Sequence, residues 1–466
     1  MVRPFLVLSL LLIANSVVQQ TSTKTARKQS QSVSQKPALV NLVTLAPGHF
    51  HASLVQKVMY PNVSPVVKVY APAGSDLDEH LKRVDGYNTR ATSPTSWQQS
   101  VYTGSDFFER MLSERAGNVV IIAGNNREKT DYIVRSLEAG FNVLADKPMC
   151  IDAAGLEKLK VAFQTAANKH LLLYDIMTER YEITTILQKE LVNKPAVFGH
   201  LKKGTLEQPA VTKESVHHLL KFVSGKPLRR PGWFFDTAQQ GEGIVDITTH
   251  LVDLIQWESF PEQSLATTDV QMLRARHWPT VVTREQFAQV TGLSDFPEFL
   301  RSRLNADGAL LDYANGEMDY MLKGVHARVS VIWNFEAPAG TGDTHFSVMR
   351  GTKANIVIRQ GKEENYRPEL YIEAAHAGPS VSLDAALKDA VAQLGKVYPG
   401  LALKQEANRW HVIIPFELRQ DHEAHFGQVM EKFLTYFHER RLPAWEVPNT
   451  ITKYHTIIQA LELAQR

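Results

Sequence analysis

The seventeen residues Gly241 to Trp257, GEGIVDITTHLVDLIQW, place ionisable side chains where a helix should be buried. At about 100° per residue, Asp246, His250, Asp253 and Trp257 fall on one stripe, while Ile244, Ile247, Leu251, Leu254 and Ile255 cover the opposite side. A helix apolar around most of its girth belongs in an interior. Its polar stripe must then meet compensating partners or a solvated cavity, because uncompensated buried charge is costly. On these residues alone two readings stay open. In one, a histidine and two aspartates satisfy one another at spacings of four and three. In the other, Asp246 and His250 form an acid/base pair facing a cleft, histidine being the side chain best tuned near neutral pH.

A second reactive group is Asp146-Lys147-Pro148, which ends the run NVLA at 142 to 145. The lysine stands where a strand gives way to a turn fixed by proline, although taken alone the tripeptide is equally a surface turn. A third stretch, TLAPGHFHA at 44 to 52, follows an apolar run and is a natural place for a pyrophosphate, since a helix N-terminus there offers unpaired N–H groups. A dinucleotide fingerprint wants three glycines, but Gly48 stands alone, with Val43 and Leu45 where the first two would be. The nearest carboxylates after the second apolar run are Asp76 and Asp78.

The elements that must carry these residues alternate. ALVNLVTL from Ala38, VVKVYA at 66 to 71, VVIIA at 119 to 123, NVLA and LLLY at 171 to 174 are short β-forming runs, and REKTDYIVRSLEA at 127 to 139 between two of them is helical, with Gly140 to end it. This order predicts a doubly wound parallel sheet, in which ligands bind beyond the carboxyl ends of the strands. Thr44 to His51, Ala71 to Asp76, Gly124 to Asn126 and Asp146 to Pro148 all fall there. After Tyr174 the pattern changes to a helical stretch at Glu179 to Leu191 and then a β-rich region: ATTDVQMLRA, GEMDYMLKG, HARVSVIWNF, HFSVMRG, ANIVIRQ, ELYIEAA and WHVIIPF. These predict a mostly antiparallel sheet, interrupted by helical stretches at 284 to 304 and 383 to 397 and followed by helices at 423 to 440 and 451 to 465.

A chain of 466 residues, 44% hydrophobic and 21% charged, can bury a sizeable core and suggests more than one domain. Lys and Arg number 51 against 49 Asp and Glu, so no overall electrostatic case exists for nucleic acid or anionic membrane, and the expected partner is a small molecule. Arg3, the apolar block from Phe5 to Ala14 and the small-residue site Ala14-Asn15-Ser16 have the form of a cleaved secretory leader. About ten apolar residues are too few to span a bilayer, so the expected location is soluble and outside the cytoplasm, in the periplasm. The expected divisions are 1–16 leader, 17–37 disordered linker, 38–175 dinucleotide-binding domain and 176–466 substrate domain. Cys150 is the lone cysteine and cannot form an intrachain disulfide.

SLEAGFNVLADKP at 136 to 148, GEGIVDITTHLVDLIQW and FSVMRGTKANIVI at 346 to 358 together resemble the glucose-fructose oxidoreductase and inositol dehydrogenase family, over nearly everything from Ala38 onward. The resemblance implies an N-terminal Rossmann domain joined to a C-terminal α+β domain with a large, mostly antiparallel open sheet. It also implies a homo-oligomer and a bound NAD or NADP, with no metal. It makes Lys147 the catalytic lysine and Asp246 and His250 the acid/base pair, with Asp246 orienting the imidazole and Lys147 stabilising alkoxide charge. The candidate cofactor residues are Gly48, His49, His51, Asp76, Gly124, Asn125, Asn126, Asp146 and Lys147. Arg229, Arg230 and Trp233, with His250, are candidates for holding a sugar. Lys129 stands where the family usually has histidine, and Gly124-Asn125-Asn126 where it usually has Thr-Pro.

The function so implied is oxidation of a ring hydroxyl, C3 for preference, of a pyranose sugar or glycoside. Its nicotinamide is expected to be tightly held, because an exported enzyme has no dissolved pool to draw on. Two alternatives share the fold: redox-neutral cleavage of a glycoside by oxidation and elimination, and sugar binding without catalysis. A metal hydrolase using Asp246, His250 and Asp253 ranks below these, since no second histidine cluster of ligand spacing exists and Lys147 would go unexplained.

Overall fold

The computed structural model describes residues 39–223, 226–376 and 381–466. The expected leader and linker lie outside the described residues. The first sheet has six parallel strands: β1 (Leu42–Leu45), β2 (Val66–Tyr70), β3 (Gln98–Tyr102), β4 (Val119–Ile122), β5 (Asn142–Asp146) and β6 (Leu173–Ile176), in the order β3-β2-β1-β4-β5-β6. Every residue of β1 and of β4 is buried, because helices cover both faces, and a strand so covered reads as a continuous apolar run. That is why four of the five runs anticipated from sequence coincide with strands and the fifth, LLLY, overlaps β6. The exception is β3, an edge strand of sequence QQSVY, half exposed and too polar to register as one.

Helices α1 (His51–Leu54), α2 (Ser75–Thr89), α3 (Phe107–Glu114), α4 (Asn126–Glu138) and α5 (Ala153–Asn168) connect these strands. Asn125 caps α4 by accepting from the Arg127 amide, and Asp152 caps α5 by accepting from Gly155. The chain turns to opposite sides after β1 and after β4, so the carboxyl ends of these two neighbours open onto the crevice that a doubly wound sheet offers to ligands.

Beyond α6 (Ile183–Val192), the strands are β7 (Val211–Leu220), a two-strand ribbon of β8 (Phe222–Val223) with β9 (Lys226–Pro227), β10 (Val270–Val282), β11 (Leu310–Leu322), β12 (Val325–Glu336), β13 (Thr344–Arg350), β14 (Ala354–Gln360), β15 (Glu369–Ala374), β16 (Ala402–Glu406) and β17 (Arg409–Ile413). All but the ribbon form a nine-stranded sheet in the order β10-β11-β12-β7-β13-β14-β15-β17-β16. Its ladders are antiparallel except that β7 runs parallel to β12. The fold is thus the expected parallel sheet followed by a mostly antiparallel one.

The helices of this half are α7 (Thr237–Gln240), α8 (Thr248–Ser259), α9 (Arg284–Thr291), α10 (Val381–Leu394), α11 (His422–Glu439) and α12 (Glu446–Ala464). Helix α11 returns to the first sheet, where Phe426, Val429, Met430 and Phe433 join Val67, Val69 and Ile121 in one apolar cluster.

The segment from Gly241 to Trp257 is not one helix. Gly243–Val245 form a single 3-10 turn, Asp246 has φ −94° and ψ −89°, and α8 begins at Thr248. The cause is close backbone packing on β11. A Cβ on Gly243 would stand 1.7 Å from the Ala314 carbonyl oxygen, so this turn lies flat against the strand and cannot share the axis of α8. Asp246 is therefore lifted out of the helical stripe predicted for it.

Candidate active site

The break at Asp246 aims its carboxylate at the end of β5. Lys147, the residue after that strand, donates from Nζ to Asp246 Oδ1 at 2.5 Å, and Gln240 Nε2 donates to Asp246 Oδ2 at 3.2 Å. Burial would raise the Asp246 carboxyl, but the adjacent ammonium of Lys147 outweighs it and holds the group below the usual carboxylate range. The expected Asp246–His250 pairing is not made. His250 sits in the first turn of α8, buried, with Nδ1 lacking a hydrogen-bond partner. Burial, helped by the positive charge of Lys147, pushes its pKa down to about 3, so the ring is neutral throughout the physiological range.

The turn that carries Lys147 is held from beneath. Lys129, buried on α4, donates to the carbonyl oxygen of Asp146 at 2.9 Å, and the Lys147-Pro148 bond is cis. Burial brings the Lys129 ammonium down to about 8. His51 Nδ1 lies 2.9 Å from Asp146 Oδ2, and His49 Nδ1 lies 3.4 Å from the same oxygen. Burial opposes ionisation of Asp146, yet the rings of His51 and His49 and the ammonium of Lys129 keep it well below its ordinary value. Among the described residues, His49, His51 and Asp146 are the one group whose atoms gather closely enough, within 4.8 Å, to hold a metal ion. His51 hydrogen-bonds Asp146, whereas His49 Nδ1, though near the same carboxylate, has no hydrogen-bond partner.

Lys147, Asp246 and His250 line a cavity of about 740 Å³, within the size range of small-molecule sites. Its far wall comes from the second sheet and was not legible in the sequence. Asp343 accepts from Lys221, from His217 Nδ1 at 3.2 Å and from His218 Nδ1 at 2.9 Å, and His217 Nε2 lies 2.5 Å from Ser215 Oγ. Ser215, His217 and His218 belong to β7, whose sequence VTKESVHHLL breaks apolar alternation because several of its side chains face this cavity or a buried ion pair. Lys213 of the same strand, wholly buried, reaches Glu258 of α8 at 2.9 Å. Glu179 and His422 close a third side. Burial raises the Glu179 carboxyl to about 7.

Asp253, on the expected stripe, has a different job. Arg180 donates to both its oxygens, at 2.6 and 2.7 Å, and Lys453 donates to Oδ1 at 3.2 Å. Burial would raise its pKa, but these two cations hold it at about 2. Arg180 also pairs with Glu446, and Lys453 with Asp175, so the network ties β6, α8 and α12 together.

A second cavity of about 790 Å³ adjoins the first, the two sharing His49, Phe50, Arg83, Leu228, Arg230 and Phe234 as wall. It lies over the start of α2, and Trp233 Nε1 donates there to Asp76 Oδ2 at 2.9 Å. Arg229 and Trp233, expected to hold substrate, line this outer chamber and not the one containing His250. The 3-10 turn Gly232–Phe235 carries the indole toward the first sheet, and the Arg229 guanidinium lies against Gly292. Of the three, Arg230 alone also faces the inner chamber.

Paired chambers at the β1/β4 crevice suit an elongated dinucleotide. Gly48 and Gly124 let the two loops meet: a Cβ on Gly124 would stand 2.3 Å from the Ala46 carbonyl oxygen, and one on Gly48 would stand 2.9 Å from Asp76 Oδ2. Ala46 makes the tight turn at φ +43° without a glycine. The amides of Gly48 and His49 both donate to the Ala123 carbonyl, at 3.2 and 3.1 Å, so these N–H groups are engaged by the neighbouring strand. The chambers fit a nicotinamide dinucleotide, while the first loop contributes shape more than hydrogen bonds. Asn125 and Asn126 serve chiefly to dock α7, donating to Gln239 Oε1 and to the Gln240 carbonyl at 2.7 Å each.

Residues 187–465 match the family described as "Putative oxidoreductase C terminal domain", and residues 75–174 match "Oxidoreductase family, NAD-binding Rossmann fold". The second match begins beyond the glycine-poor loop. A crystal structure of a "putative oxidoreductase from Parabacteroides merdae" is 54% identical, with 92% of this chain and 98% of that one covered and a TM-score of 0.90. A levoglucosan dehydrogenase in complex with NADH and levoglucosan shares 13% identity over 91% of this chain and 97% of its own, with a TM-score of 0.57. A 3-ketoreductase from Actinomadura kijaniata in complex with NADP and TDP-benzene shares 11% identity over 91% and 98%, with a TM-score of 0.55. No curated protein sequence matches this chain.

Proposed function

The chain belongs to the oxidoreductase family with the NAD-binding Rossmann fold, and from that membership we propose that it oxidises a ring hydroxyl of a pyranose sugar or glycoside, C3 being the favoured position. The observation that carries this reading is the ammonium of Lys147, clamped at 2.5 Å by Asp246, in the same chamber as the neutral imidazole of His250. A bound nicotinamide supplies the hydride acceptor. Asp76 and Trp233 would hold its outer half, and His49, Gly124 and Asn126 would line the passage inward. Lys147 stabilises negative charge developing on the substrate oxygen, and His250, uncharged, accepts the hydroxyl proton. Asp246 positions the ammonium and leaves the imidazole to act by itself. Levoglucosan dehydrogenase and the 3-ketoreductase, which have the same fold, support a sugar as the substrate class.

The second reading, oxidation followed by elimination of the glycosidic substituent, is favoured by one observation. Glu179, whose carboxyl burial holds near pH 7, faces the same chamber and supplies the further base that elimination requires. Incubation with glucosides, NAD and a keto-sugar acceptor separates the two by mass. A glycoside two hydrogens lighter supports net oxidation, whereas free aglycone without a keto product selects elimination and overturns the first reading. In both, the cofactor is retained between turnovers, because the leader-like N-terminus points to export. A mature chain starting near Val17 in the periplasmic fraction supports export, and an intact Met1 on cytoplasmic protein contradicts it.

A further inference from the structure

Arg230 is a buried guanidinium that makes no ion pair among the described residues. It is 7% exposed; Nε donates to the Leu219 carbonyl at 3.0 Å, and Nη2 reaches the His218 carbonyl at 3.5 Å. Its Cζ lies over the rings of Phe234 and Trp333, at 4.5 and 5.1 Å from their centres. Carbonyls and ring faces orient a cation but do not neutralise it, and an unpaired buried charge is costly. Among the described residues no carboxylate forms an ion pair with Arg230. The residues outside that set, 1–38, 224–225 and 377–380, contain neither Asp nor Glu.

The neighbouring charges are already committed. Asp246 is taken by Lys147, and Asp343 is shared among Lys221, His217 and His218. Asp312 is buried; burial lifts its carboxyl to about 7 against the pull of Arg230 and Arg303, and it makes no ion pair with Arg230. Arg230 lines both chambers. A guanidinium presents a planar fork that matches a carboxylate with two parallel hydrogen bonds.

We propose that Arg230 receives a carboxylate of the substrate, so that the sugar oxidised here is an acidic one, a uronic or aldonic acid or its glycoside. This rests on the sugar-oxidoreductase reading above. The other anion that could approach Arg230 is the pyrophosphate of the dinucleotide, and the test distinguishes the two.

Calorimetric titration of the full chain saturated with NADH should compare D-glucuronate with D-glucose and D-galacturonate with D-galactose. Each acid is set against its neutral parent, so ring stereochemistry cancels in the ratio. The acids should bind at least tenfold tighter. R230M should bring that ratio to about one and leave NADH affinity unchanged, while R230K, which keeps the charge and loses the fork, should fall between. Loss of NADH affinity in R230M with the acid-to-neutral ratio intact assigns the guanidinium to pyrophosphate and overturns the proposal. Neutral sugars binding the wild-type chain as tightly as their acids also overturn it, whatever the folding of the variants, and leave the sugar reading standing. Tight NADH binding without binding of any sugar overturns both.

Discussion

Lys147 Nζ and Asp246 Oδ1 lie 2.5 Å apart across 99 positions of sequence, one at the end of β5 and the other in the break before α8. Each belongs to a different half of the chain, so the reactive ammonium takes its position when the two halves pack. Both are nearly inaccessible to water, and in such a setting a preorganised charge acts with little screening. Asp246→Asn removes the counter-charge and leaves the ammonium in place. Turnover should fall by about 10²- to 10³-fold in D246N and further in K147A. Steady-state kinetics beside thermal melts would check this; the assignment fails if either variant keeps near-normal turnover on a substrate the wild type oxidises.

His250 should not titrate in the working pH range. Burial and Lys147 hold its pKa near 3, so the ring should stay neutral from pH 8 down to pH 5. In histidine-labelled protein, the His250 imidazole signals, identified by their absence in H250Q, should keep neutral-ring shifts over that span. A midpoint near 6.5 would show that water reaches the ring freely.

Asp253 should behave in the opposite manner to Lys147. Replacing it by alanine leaves Arg180 and Lys453 without a shared anion in the interior, which costs about 3–5 kcal/mol when a buried pair is broken from one side. D253A, which strands two cations, should lose thermal stability most; K147A, which strands the buried Asp246 alone, should lose less; and H250A, whose Nδ1 has no partner, should melt close to the wild type. Calorimetry on the three proteins decides, and equal losses in all three would return the site to a purely structural network.

Acid should weaken the fold through its buried histidines. Burial depresses the half-buried His345 to about 3 and the buried His80 and His425 to about 4. Above the unfolded value of about 6.5, these rings are neutral in both states. As the pH falls below it, the unfolded rings bind protons first, so stability present above pH 6.5 is lost on descent towards the native values, by about 1.4 kcal/mol per pH unit for each ring. Between pH 7 and 5, H425L should lose about 2 kcal/mol less than the wild type. Urea midpoints at the two pH values measure the difference.

Much of the first half could be anticipated because buried parallel strands advertise themselves as apolar runs, and because Asp146-Lys147-Pro148 ends one of them. The second half hid its chemistry in two ways. Strand β7 carries Lys213, Ser215, His217 and His218 at its interior and cavity-facing positions, and these polar residues obscure the alternation by which a strand is recognised. Helical periodicity put Asp246 on the stripe of His250, since a period cannot register that Gly243 is pressed against the Ala314 carbonyl and starts a separate turn. Trp233 was placed with the sugar because it precedes the catalytic segment. Its hydrogen bond to Asp76, 157 positions away, is a long-range contact that no local pattern reveals. The wall formed by Asp343 and His217 likewise exists only once β13 pairs with β7.

The ionic network around Arg180 has a mechanical consequence. It spans the seam between the two sheets, with Arg180 following β6, Asp253 on α8, and Glu446 and Lys453 on α12, all nine-tenths or more buried. Swinging the two lobes apart would strip several charges of their partners in a dry interior, a penalty of several kcal/mol that leaves an open form scarcely populated. The gap between the lobes is thus a fixed calliper and not a jaw. Molecules must enter and leave without the lobes parting, and a guest too wide for the gap is rejected before any chemistry can test it.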